Sequence, residues 1–395
     1  MKQRLILAVT GSRAEYGAMR PVFQAISGTP DLALQLLVTG MHLLPEFANG
    51  LAEIRNDNFC PIHTVGMLLA EEGGRAMAQS MGLGIYGIAG AIASIAPDIV
   101  LLQGDRGEML ATAIAAAHMN IPIVHMSGGD STGTIDEPIR HAITQFSHIH
   151  LTTCASSTAR LLQMGESSWR IFQVGEPALD VIADADFSTA EDLARDFSLD
   201  MSRPILLATM HPVTTEFNDA PNQIQTLLEV LDELAIQTVF TYPNSDAGGR
   251  NMVTVLESYR NRPWLRIVPH LGYKNYLGLM RLASAVVGNS SSGLLEAPSF
   301  KTPAVNIGTR QHGRTRGINV VDANYNNADI KSALLHVLHD QQFRLKLSEC
   351  RNPYGDGTTS RKTAEILRRL QISPPLIAKW LSQNQQFVAE GWDAI

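Results

Sequence analysis

The sequence predicts an α/β protein with two doubly wound domains, each built around a parallel sheet. Three observations support this fold class. Strand-like and helix-like segments alternate regularly along the 395 residues, the strand-like segments are almost continuously apolar, and most of them end in a short polar motif. Continuous apolar strands are typical of parallel sheets that are covered on both faces. A chain of this length also exceeds what one hydrophobic core supports, which favours two domains of roughly 150–200 residues.

The first half of the chain alternates strands and helices up to about residue 175. The predicted strands are Leu5–Val9, Ala33–Val38, Asp98–Leu102, Ile121–His125 and His150–Thr153. The predicted helices are Met19–Ile26, Ala76–Ile95, Glu108–His118 and Pro138–Phe146. Proline and aspartate residues then interrupt the alternation between residues 175 and 202. We therefore predict a first Rossmann-like domain over residues 1–176, completed by a C-terminal helix within residues 374–395.

A second series of strands and helices follows the break. Its predicted strands are Pro204–Met210, Thr238–Tyr242, Trp264–Val268, Ala283–Val287 and Ala304–Ile307, with a predicted helix over Asn222–Leu234. This series predicts a second, nucleotide-binding domain over residues 177–373. Ligands of such sheets bind beyond the carboxyl ends of the strands, which is where the polar motifs lie. Two such domains with a cleft between their strand ends form the glycosyltransferase-B arrangement, with the active site in that cleft.

Composition and charge exclude several classes of partner. The formal net charge of −7 gives no electrostatic reason to expect nucleic acid or an anionic membrane. The three widely spaced cysteines argue against a disulfide framework and favour a reducing compartment. The first apolar run lacks a cleavage-type segment, and the apolar stretch near residues 85–99, about 15 residues, is short for a membrane span. We expect a cytoplasmic protein with no membrane partner.

No cofactor is indicated by the motifs of this chain. Neither a G-x-G-x-x-G nor a G-x-x-x-x-G-K-[ST] motif occurs at a strand–helix junction, so neither nicotinamide nor ATP chemistry is expected. The histidines show no spacing typical of metal ligands, and we predict no structural metal.

The stretch from Gly288 to Pro298 joins a predicted strand to a predicted helix. The open first turn of that helix would present backbone N–H groups and the positive end of the helix dipole to a phosphate. Three consecutive serine hydroxyls would add donors. Glu296 lies about one turn further along, roughly 5 Å, and could accept two sugar hydroxyls. The alternative interpretation is that Asn289 and the serines only cap the helix.

Polar residues also follow the strands of the first domain. Arg13 follows the first strand and would face the cleft, although it could be an ordinary surface arginine. His42 follows the second strand. Asp105 and Arg106 follow a later strand, where Asp105 could be a catalytic base or a helix N-cap and Arg106 could be its ion-pair partner.

The densest polar stretch of the chain runs from Asp130 to His141. Asp136 and Glu137 fall at a predicted helix start, where carboxylates also serve as caps. Capping is the simpler interpretation for Asp136. Glu137 lies three residues before Arg140, so it could be a buried base held by that arginine or part of an exposed ion pair.

The second domain carries further candidates at its strand ends. His211 ends the first strand of this domain, and this position favours function over the structural role that a lone histidine usually has. Asn244 and His270 follow the next two strands. Arg310 and Arg314 follow the last predicted strand, where they could pair with phosphate or cap the sheet.

Eight motifs now in view carry a resemblance. They are Ser12–Gly17, Gly104–Arg106, Gly128–Ala142, His211–Thr214, Tyr242–Gly248, Gly288–Gly293, Asn306–Gln311 and Asn352–Gly357. In this order they resemble the hydrolysing UDP-N-acetylglucosamine 2-epimerases of the sialic- and legionaminic-acid pathways, over about residues 5–370. The resemblance implies a glycosyltransferase-B fold, a UDP-sugar substrate, no metal or nicotinamide, and a homodimer or homotetramer.

The resemblance also implies a reaction, conversion of UDP-N-acetylglucosamine and water to N-acetylmannosamine and UDP. Because the C2 hydrogen is not acidic enough to leave first, loss of UDP must lead, helped by arginines, hydroxyls and the helix N-terminus. A carboxylate then removes the C2 proton to give a glycal. Water adds at C1 while an acid protonates the opposite face of C2, so at least two acid–base groups are needed. Asp105, Asp130 and Glu137 are candidates without an assigned face.

The candidate residues form two sets. The predicted catalytic residues are Asp105, Asp130, Glu137 and His211. The predicted substrate- or UDP-binding residues are Arg13, His42, Arg106, Arg140, Asn244, His270, Ser290, Ser291, Ser292, Glu296, Arg310 and Arg314.

The sequence departs from the family at one motif. Where the family usually has His-Gly-Gly-Glu, this chain has Ser127-Gly-Gly-Asp130. The shorter carboxylate keeps the charge but moves it by about one C–C bond, which bears on the role of Asp130 or on the sugar. The alternatives are the same reaction on a UDP- or GDP-linked 2,4-diacetamido-trideoxyhexose, a non-hydrolysing epimerase, a glycosyltransferase of the same fold, and a nucleotide-sugar sensor.

Overall fold

A computed structural model of the chain describes residues 3–44, 49–71, 73–131, 136–183, 187–244 and 248–379. The chain divides into two compact units. Unit 1 comprises Met1–Ser131, Ile135–Val181 and Tyr354–Ile395, and unit 2 comprises Thr132–Thr134 and Ile182–Pro353.

Unit 1 is built on a seven-stranded parallel sheet. Its strands are β1 Arg4–Thr10, β2 Leu32–Val38, β3 Ile62–Thr64, β4 Ile99–Gln103, β5 Ile123–Met126, β6 Ile149–Thr152 and β7 Ile171–Gln173. The order across the sheet is β3-β2-β1-β4-β5-β6-β7, and every neighbouring pair is parallel. The carboxyl ends of β1, β4 and β5 therefore lie side by side at one edge of the sheet.

Helices cover both faces of this sheet. They are α1 Arg13–Ser27, α2 Asn49–Asp57, α3 Gly74–Ile95, α4 Gly107–His118, α5 Asp136–Phe146, α6 Ala155–Gln163 and α7 Ala178–Ala183, with 3-10 turns over Gly40–Leu43 and Ser168–Arg170. Alternate residues of β1 enter two separate cores. Ile6 and Ala8 join one core, whereas Leu7 and Val9 join the other. This two-sided burial is why β1 is continuously apolar.

Unit 2 repeats the same topology with six strands. They are β8 Ile205–Thr209, β9 Gln237–Thr241, β10 Leu265–Val268, β11 Ala285–Gly288, β12 Ala304–Ile307 and β13 Val320–Ala323, in the order β10-β9-β8-β11-β12-β13. All neighbouring pairs are parallel. The helices are α8 Ala190–Phe197, α9 Ala220–Leu234, α10 Gly249–Ser258, α11 Tyr273–Leu282, α12 Ser292–Leu295, α13 Asn327–His339 and α14 Gln341–Leu347, with a 3-10 turn over Ala297–Phe300.

The chain returns to unit 1 after residue 353. The helices there are α15 Thr359–Arg369 and α16 Pro374–Ile377. The sequence placed the second domain at residues 177–373, but α15 packs on α1 and buries Ile366 and Leu367 in a core of unit 1. The boundaries differ from the prediction because the apolar face of α15 fits the first sheet. Of the predicted C-terminal helix, residues 380–395 lie outside the described part of the chain.

Helix α3 is longer than the apolar stretch estimated from the sequence. It has 22 residues and satisfies the length and composition criteria for a membrane span, with 28% of its apolar window buried. One such helix carries little weight, because core helices pass the same test. Ile88 and Ile92 of α3 are buried in the core that also contains Met109 of α4. The absence of a membrane partner stays a prediction.

Candidate functional site

Three charged residues meet at the strand ends of unit 1, and we call them the unit 1 cluster: Asp105, Asp130 and Arg140. Arg140 lies on α5 with only 5% of its side chain exposed. Its Nη2 forms an ion pair with Asp105 Oδ2, and its Nη1 lies 3.7 Å from Asp130 Oδ2. Both carboxylates keep 18% exposure. One guanidinium thus bridges two partly accessible carboxylates that follow β4 and β5.

Asp130 is fixed from its other side by two hydroxyls. Thr153 Oγ1 and Ser157 Oγ donate to its Oδ1 at 2.6 and 2.5 Å. The preceding Gly129 has φ of 78°, and a Cβ there would collide with the backbone oxygen of Ser157. The close approach to α6 therefore requires glycine before Asp130. The carboxylate that departs from the family motif is held rigidly, with Oδ2 directed towards Arg140.

Two residues on β5 and its end connect α5 to the Gly104–Asp105 turn. Ser127 has φ of 63°, uncommon for a residue with a side chain, and its carbonyl accepts a bond of 3.1 Å from Arg140. His125 is fully buried, with Nε2 2.8 Å from Gly104 O and Nδ1 3.4 Å from Thr144 Oγ1 of α5. Burial lowers the pKa of His125 to about 3, so the ring is neutral.

Two ion-pair interpretations of the sequence are corrected by these contacts. Arg106 is not the partner of Asp105, because its Nε lies 3.4 Å from Glu108 Oε2 whereas Arg140 occupies Asp105. Glu137 is not held by Arg140. Its Oε1 lies 3.5 Å from His141 Nε2, one helical turn further along, and 27% of its side chain is exposed. The three-residue spacing suggested contact, but Arg140 is directed to the strand ends instead.

Capping of the helix does not explain Asp105, whereas for Asp136 it stays a prediction. The helix after β4 begins at Gly107 with Arg106 at its N-cap, so Asp105 lies outside the cap position. Asp136 is the first residue of α5. Burial lowers the pKa of Arg106, but the negative charges of Glu108, Glu15 and Asp136 outweigh it and raise that pKa. Position 135, which precedes α5, lies outside the described residues.

Two buried carboxylates beside the unit 1 cluster were missed by the sequence interpretation, Glu15 and Glu108. Gly11 N donates to Glu15 Oε2 at 3.0 Å. Burial raises the pKa of Glu15 to about 8, and the charge of Glu108 acts in the same direction. A Cβ at Gly40 would collide with Glu108 Oε1, and a Cβ at Gly11 would lie 3.0 Å from the same atom. The turns that contain Gly11 and Gly40 therefore pack closely against Glu108. The available signal was position, since each acid lies in the first turn of the helix that follows β1 or β4.

The remaining unit 1 candidates differ in exposure. His42 is buried, with Nε2 3.1 Å from Thr10 Oγ1 and its ring edge-on to Tyr16. Burial lowers the pKa of His42. Arg13 is the first residue of α1, keeps 60% of its side chain exposed and lies 3.5 Å from Glu53. Of the two, Arg13 is the one accessible to a ligand.

The strand ends of unit 2 carry a set that we call the unit 2 cluster: His211, Asn289, Glu296 and Arg310. Asn289 is fully buried, and its side-chain amide accepts from His211 N at 2.7 Å and donates to His211 O at 2.8 Å. Asn289 thus holds the end of β8 rather than capping a helix, which corrects the alternative interpretation for this residue. Gly288 before it has φ of 127°, and a Cβ there would collide with Thr209 O.

The ring of His211 has a defined protonation state. The backbone N–H of Asn244 donates to His211 Nδ1 at 3.0 Å. Burial lowers the pKa of His211 to about 3, with the charge of Arg310 acting in the same direction. The neutral ring therefore carries its proton on Nε2, and His211 offers a hydrogen-bond donor rather than a base at that atom.

The serine turn after β11 is held by Tyr276 of α11 and by bonds within the turn. Ser292 Oγ lies 2.6 Å from the hydroxyl of Tyr276 and 3.0 Å from Ser290 Oγ. The following helix, Ser292–Leu295, has only four residues. The contribution expected from the helix dipole is therefore small, because so few aligned peptides sum to little. Any anion bound here would rely on local N–H groups, hydroxyls and arginines.

Glu296 ends that short helix, and its Oε2 is buried without a donor among the described residues. Burial raises the pKa of Glu296 to about 7, against the lowering influence of Arg314. Arg310 donates to Asn289 O at 3.2 Å, and Gln311 Nε2 donates to the same carbonyl at 2.8 Å. Arg310 is therefore anchored next to the serine turn.

The structure leaves two expected binders less well defined. His270 lies just beyond β10 and is exposed. Ser291 occupies the N-cap of the four-residue helix and is half-buried. Within the described ranges, no three His, Cys, Asp or Glu side chains are grouped so that they could hold a metal ion.

Comparison with known proteins agrees with the fold of two similar parallel sheets. A UDP-N-acetylglucosamine 2-epimerase of Neisseria meningitidis, solved with UDP-N-acetylglucosamine bound, superposes with a TM-score of 0.77 at 18% identity, covering 92% of this chain and 99% of that one. The predicted fold class, two Rossmann-like domains of glycosyltransferase-B type, is confirmed. The position of the active site between the domains stays a prediction.

Sequence relatives extend the likeness over nearly the whole chain. A hydrolysing UDP-N,N'-diacetylbacillosamine 2-epimerase of Legionella pneumophila is 38% identical over 376 residues, covering 95% of this chain and 98% of the relative. A UDP-N-acetylglucosamine 2-epimerase of N. meningitidis is 32% identical over 365 residues, covering 92% and 94%. The profile of the UDP-N-acetylglucosamine 2-epimerases matches residues 24–368. The resemblance inferred from eight motifs is thereby confirmed, and this chain belongs to the UDP-N-acetylglucosamine 2-epimerase family.

Proposed function

We propose that this chain is a hydrolysing 2-epimerase that releases UDP from a UDP-linked 2-acetamido sugar and inverts its C2 centre. The observation that carries the proposal is the unit 1 cluster, in which one buried arginine bridges two partly accessible carboxylates. A sugar-nucleotide sensor would have no need of two such acids. Inversion through a glycal needs one group to remove a proton from C2 and another to deliver one.

We place UDP-N,N'-diacetylbacillosamine, a 2,4-diacetamido-2,4,6-trideoxyhexose, first among substrates and UDP-N-acetylglucosamine second. The sequence alone favoured the second. The relative named for the diacetamido sugar is 38% identical, against 32% for one named for UDP-N-acetylglucosamine, and this difference supports the reversed order. Asp130 stands where the family usually has glutamate, and its shorter side chain agrees with a different sugar.

In this proposal, unit 2 binds the nucleotide. The serine hydroxyls, Arg310 and Arg314 would stabilise the diphosphate as it leaves, and Glu296 would accept the ribose hydroxyls. His211 would donate from Nε2 to an oxygen of the leaving group or of the sugar. It would not act as the C2 base, because its pKa lies far below neutrality and Nε2 carries the proton.

Unit 1 would supply the proton transfers. The two carboxylates and the guanidinium of the unit 1 cluster have a formal net charge of −1. One carboxylate can therefore accept the C2 proton while the other stays paired with Arg140. A different group, the second aspartate or Glu137, whose side chain is 27% exposed, would deliver a solvent-derived proton to the opposite face of C2. Water then adds at C1 of the glycal, so the C–O bond to UDP breaks before the new C–O bond forms. The faces that each acid serves are left unassigned.

The quaternary state and the compartment are part of the proposal. The family resemblance supports a homodimer or homotetramer, and three free cysteines agree with a reducing, cytoplasmic location. Sedimentation of the purified protein would measure the first.

The experiment is proton NMR of the enzyme in D2O, with each UDP-sugar supplied separately and no acceptor or metal added. We expect free UDP and the 2,4-diacetamido mannose-configured sugar carrying deuterium at C2, with slower release from UDP-N-acetylglucosamine. Faster release from UDP-N-acetylglucosamine would reverse the substrate order. Interconversion of two UDP-sugars without free UDP would indicate a non-hydrolysing epimerase, and intact substrates would refute the reaction.

A further inference from the structure

A buried lysine closes the C-terminal end of α5. Lys379 Nζ donates to the carbonyls of Thr144, Gln145 and Ser147 at 2.8, 3.0 and 2.8 Å. The first two belong to the last turn of α5, and Ser147 follows it. Carbonyls at a helix C-terminus lack partners within the helix, and a cation there is stabilising. Only 17% of the Lys379 side chain is exposed.

A buried carboxylate balances the charge of this lysine. Glu166 Oε1 lies 2.5 Å from Lys379 Nζ, and its Oε2 lies 2.9 Å from His150 Nε2. Burial alone would raise the pKa of Glu166, but the bond to His150 and the charge of Lys379 together lower it. Burial lowers the pKa of His150, which keeps that ring neutral beside the ion pair. The pair is thus compensated and has no surplus charge.

The segment that carries Lys379 is fixed by a second buried cation. Arg170 is 2% exposed and donates to the carbonyls of Pro375, Leu376 and Ala378 at 2.9, 2.9 and 3.2 Å. It also donates to His148 O at 2.9 Å. Arg170 therefore determines the path of residues 375–378 and so the point at which the ammonium of Lys379 enters the carbonyl cage.

The same helix holds the unit 1 cluster one turn away. Arg140 lies four residues before Thr144, about 6 Å along the axis. Thr144 itself contacts His125, whose other nitrogen is bonded to Gly104 O beside Asp105. A shift of the last turn of α5 would thus move both Arg140 and the His125 contact, and with them the two carboxylates.

We propose that Lys379 is a positioning residue: by holding the C-terminal turn of α5 it keeps Arg140 between Asp105 and Asp130. The contribution to turnover rests on the proposed function, whereas the contribution to the geometry of α5 does not. Lys379 contacts none of the strand-end residues, so its removal should change proton transfer without changing nucleotide binding.

The test separates positioning from stability with two variants. Lys379→Met leaves Glu166 buried and unpaired, so it should lower both the melting temperature and kcat. Lys379→Met combined with Glu166→Gln removes that unpaired charge and should restore most of the melting temperature. Because the carbonyl cage is still empty, we expect kcat of the double variant to stay about 10- to 100-fold low, with KM unchanged. Lys362→Met, at a half-buried lysine of unit 1 that lies 3.5 Å from Asp356, is the matched control.

Hydrogen exchange supplies a readout that needs no substrate. In both Lys379 variants, amides of residues 136–147 and of the turn at residues 104–106 should exchange faster than in the wild type and in the control. A double variant with wild-type kcat, or variants with unchanged exchange in these segments, would overturn the proposal. If the wild type turns over no UDP-sugar, the proposed function fails, and the exchange comparison alone still decides whether Lys379 positions α5.

Discussion

The two units place opposite kinds of chemistry at equivalent points of one topology. In both sheets the first strand lies between the second and the fourth, and the polar residues follow these central strands. In unit 1 the strand ends carry charged groups held by ion pairs, such as Asp105 with Arg140. In unit 2 the neutral side chain of Asn289 clasps the backbone of His211 through both amide atoms, and Arg310 is anchored on the carbonyl of Asn289.

This difference separates what the scaffold does from what the residues do. The parallel sheet brings the strand ends together in both units, but it does not decide the charge that gathers there. Acids bridged by one arginine are suited to exchanging protons, since a proton can be accepted without leaving the cluster uncompensated. A backbone-anchored network that includes an arginine is suited to holding an anion in place.

The largest expected effect comes from the charged side of the comparison. Asp105→Asn removes a carboxylate but keeps its shape, so we expect kcat for UDP release to fall by at least about 100-fold, with affinity for UDP unchanged. Turnover by NMR and UDP binding by calorimetry measure the two quantities. Asp31→Asn, at an exposed aspartate of the same unit, serves as the control. An equal loss of UDP affinity would contradict the proposal that unit 1 transfers protons and unit 2 binds the nucleotide.

A smaller effect is expected from unit 2, in nucleotide binding. Burial raises the pKa of Glu296 to about 7, and an ionised carboxylate accepts sugar hydroxyls more strongly than a protonated one. Affinity for UDP should therefore increase as the pH rises from 6 to 8, by about five- to tenfold. Glu296→Gln keeps an acceptor oxygen but cannot ionise, so its pH dependence should be flatter.

Calorimetric titrations of UDP at several pH values measure this slope. The terminal phosphate of UDP also ionises near pH 6, so the informative quantity is the difference in slope between wild type and variant. Glu349→Gln, at an exposed glutamate of unit 2, should keep the wild-type slope. If UDP affinity changed with pH identically in all three proteins, Glu296 would not contact the nucleotide.

The smallest effect on activity, and a clear one on stability, is expected at Glu15. Its pKa is raised from 4.5 to about 8 in the folded protein, so the folded state binds the proton more tightly than the unfolded chain. The resulting stabilisation is complete below pH 4.5 and is lost as the pH rises through about 8. Glu15→Gln, which is never ionised, should therefore gain stability relative to the wild type across this range.

Urea denaturation of both proteins from pH 4.5 to 9 measures the gain as a difference in the free energy of unfolding. Since a tenfold difference in proton affinity corresponds to about 1.4 kcal/mol, a gain of a few kcal/mol is the upper limit. Glu349→Gln should show no such trend. A difference that does not vary with pH would mean that burial does not raise the pKa of Glu15 in the folded protein.

The sequence was most informative where burial is two-sided. The central strands β1, β4, β8 and β11 were predicted within a few residues of their observed bounds, because both of their faces are apolar. Three strands were missed, Ile62–Thr64, Ile171–Gln173 and Val320–Ala323, and each lies at the edge of a sheet. Edge strands are short and partly exposed, so they lack the apolar run that identified the others.

For the site, the sequence could identify residues but not pairings. It placed Asp105 and Asp130 at strand ends and Arg140 on the helix that follows, yet the partner of Arg140 is 35 residues away in sequence, at the end of another strand. Local spacing favoured Glu137, which is on the same helix. The contact between Lys379 and Thr144 spans 235 residues, a separation over which periodicity and motif spacing carry no information.

The path of the chain has a consequence for how the protein is made. Unit 2 is almost one continuous stretch, Ile182–Pro353, whereas unit 1 needs residues from both sides of it. On the ribosome, domains usually fold in the order in which they emerge. Here the guanidinium of Arg170 meets the carbonyls of Pro375, Leu376 and Ala378 only after all of unit 2 has been translated. Unit 1 therefore begins the chain but is completed after unit 2. A chain released from the ribosome before residues 375–378 were translated would have unit 2 formed and unit 1 without its C-terminal segment.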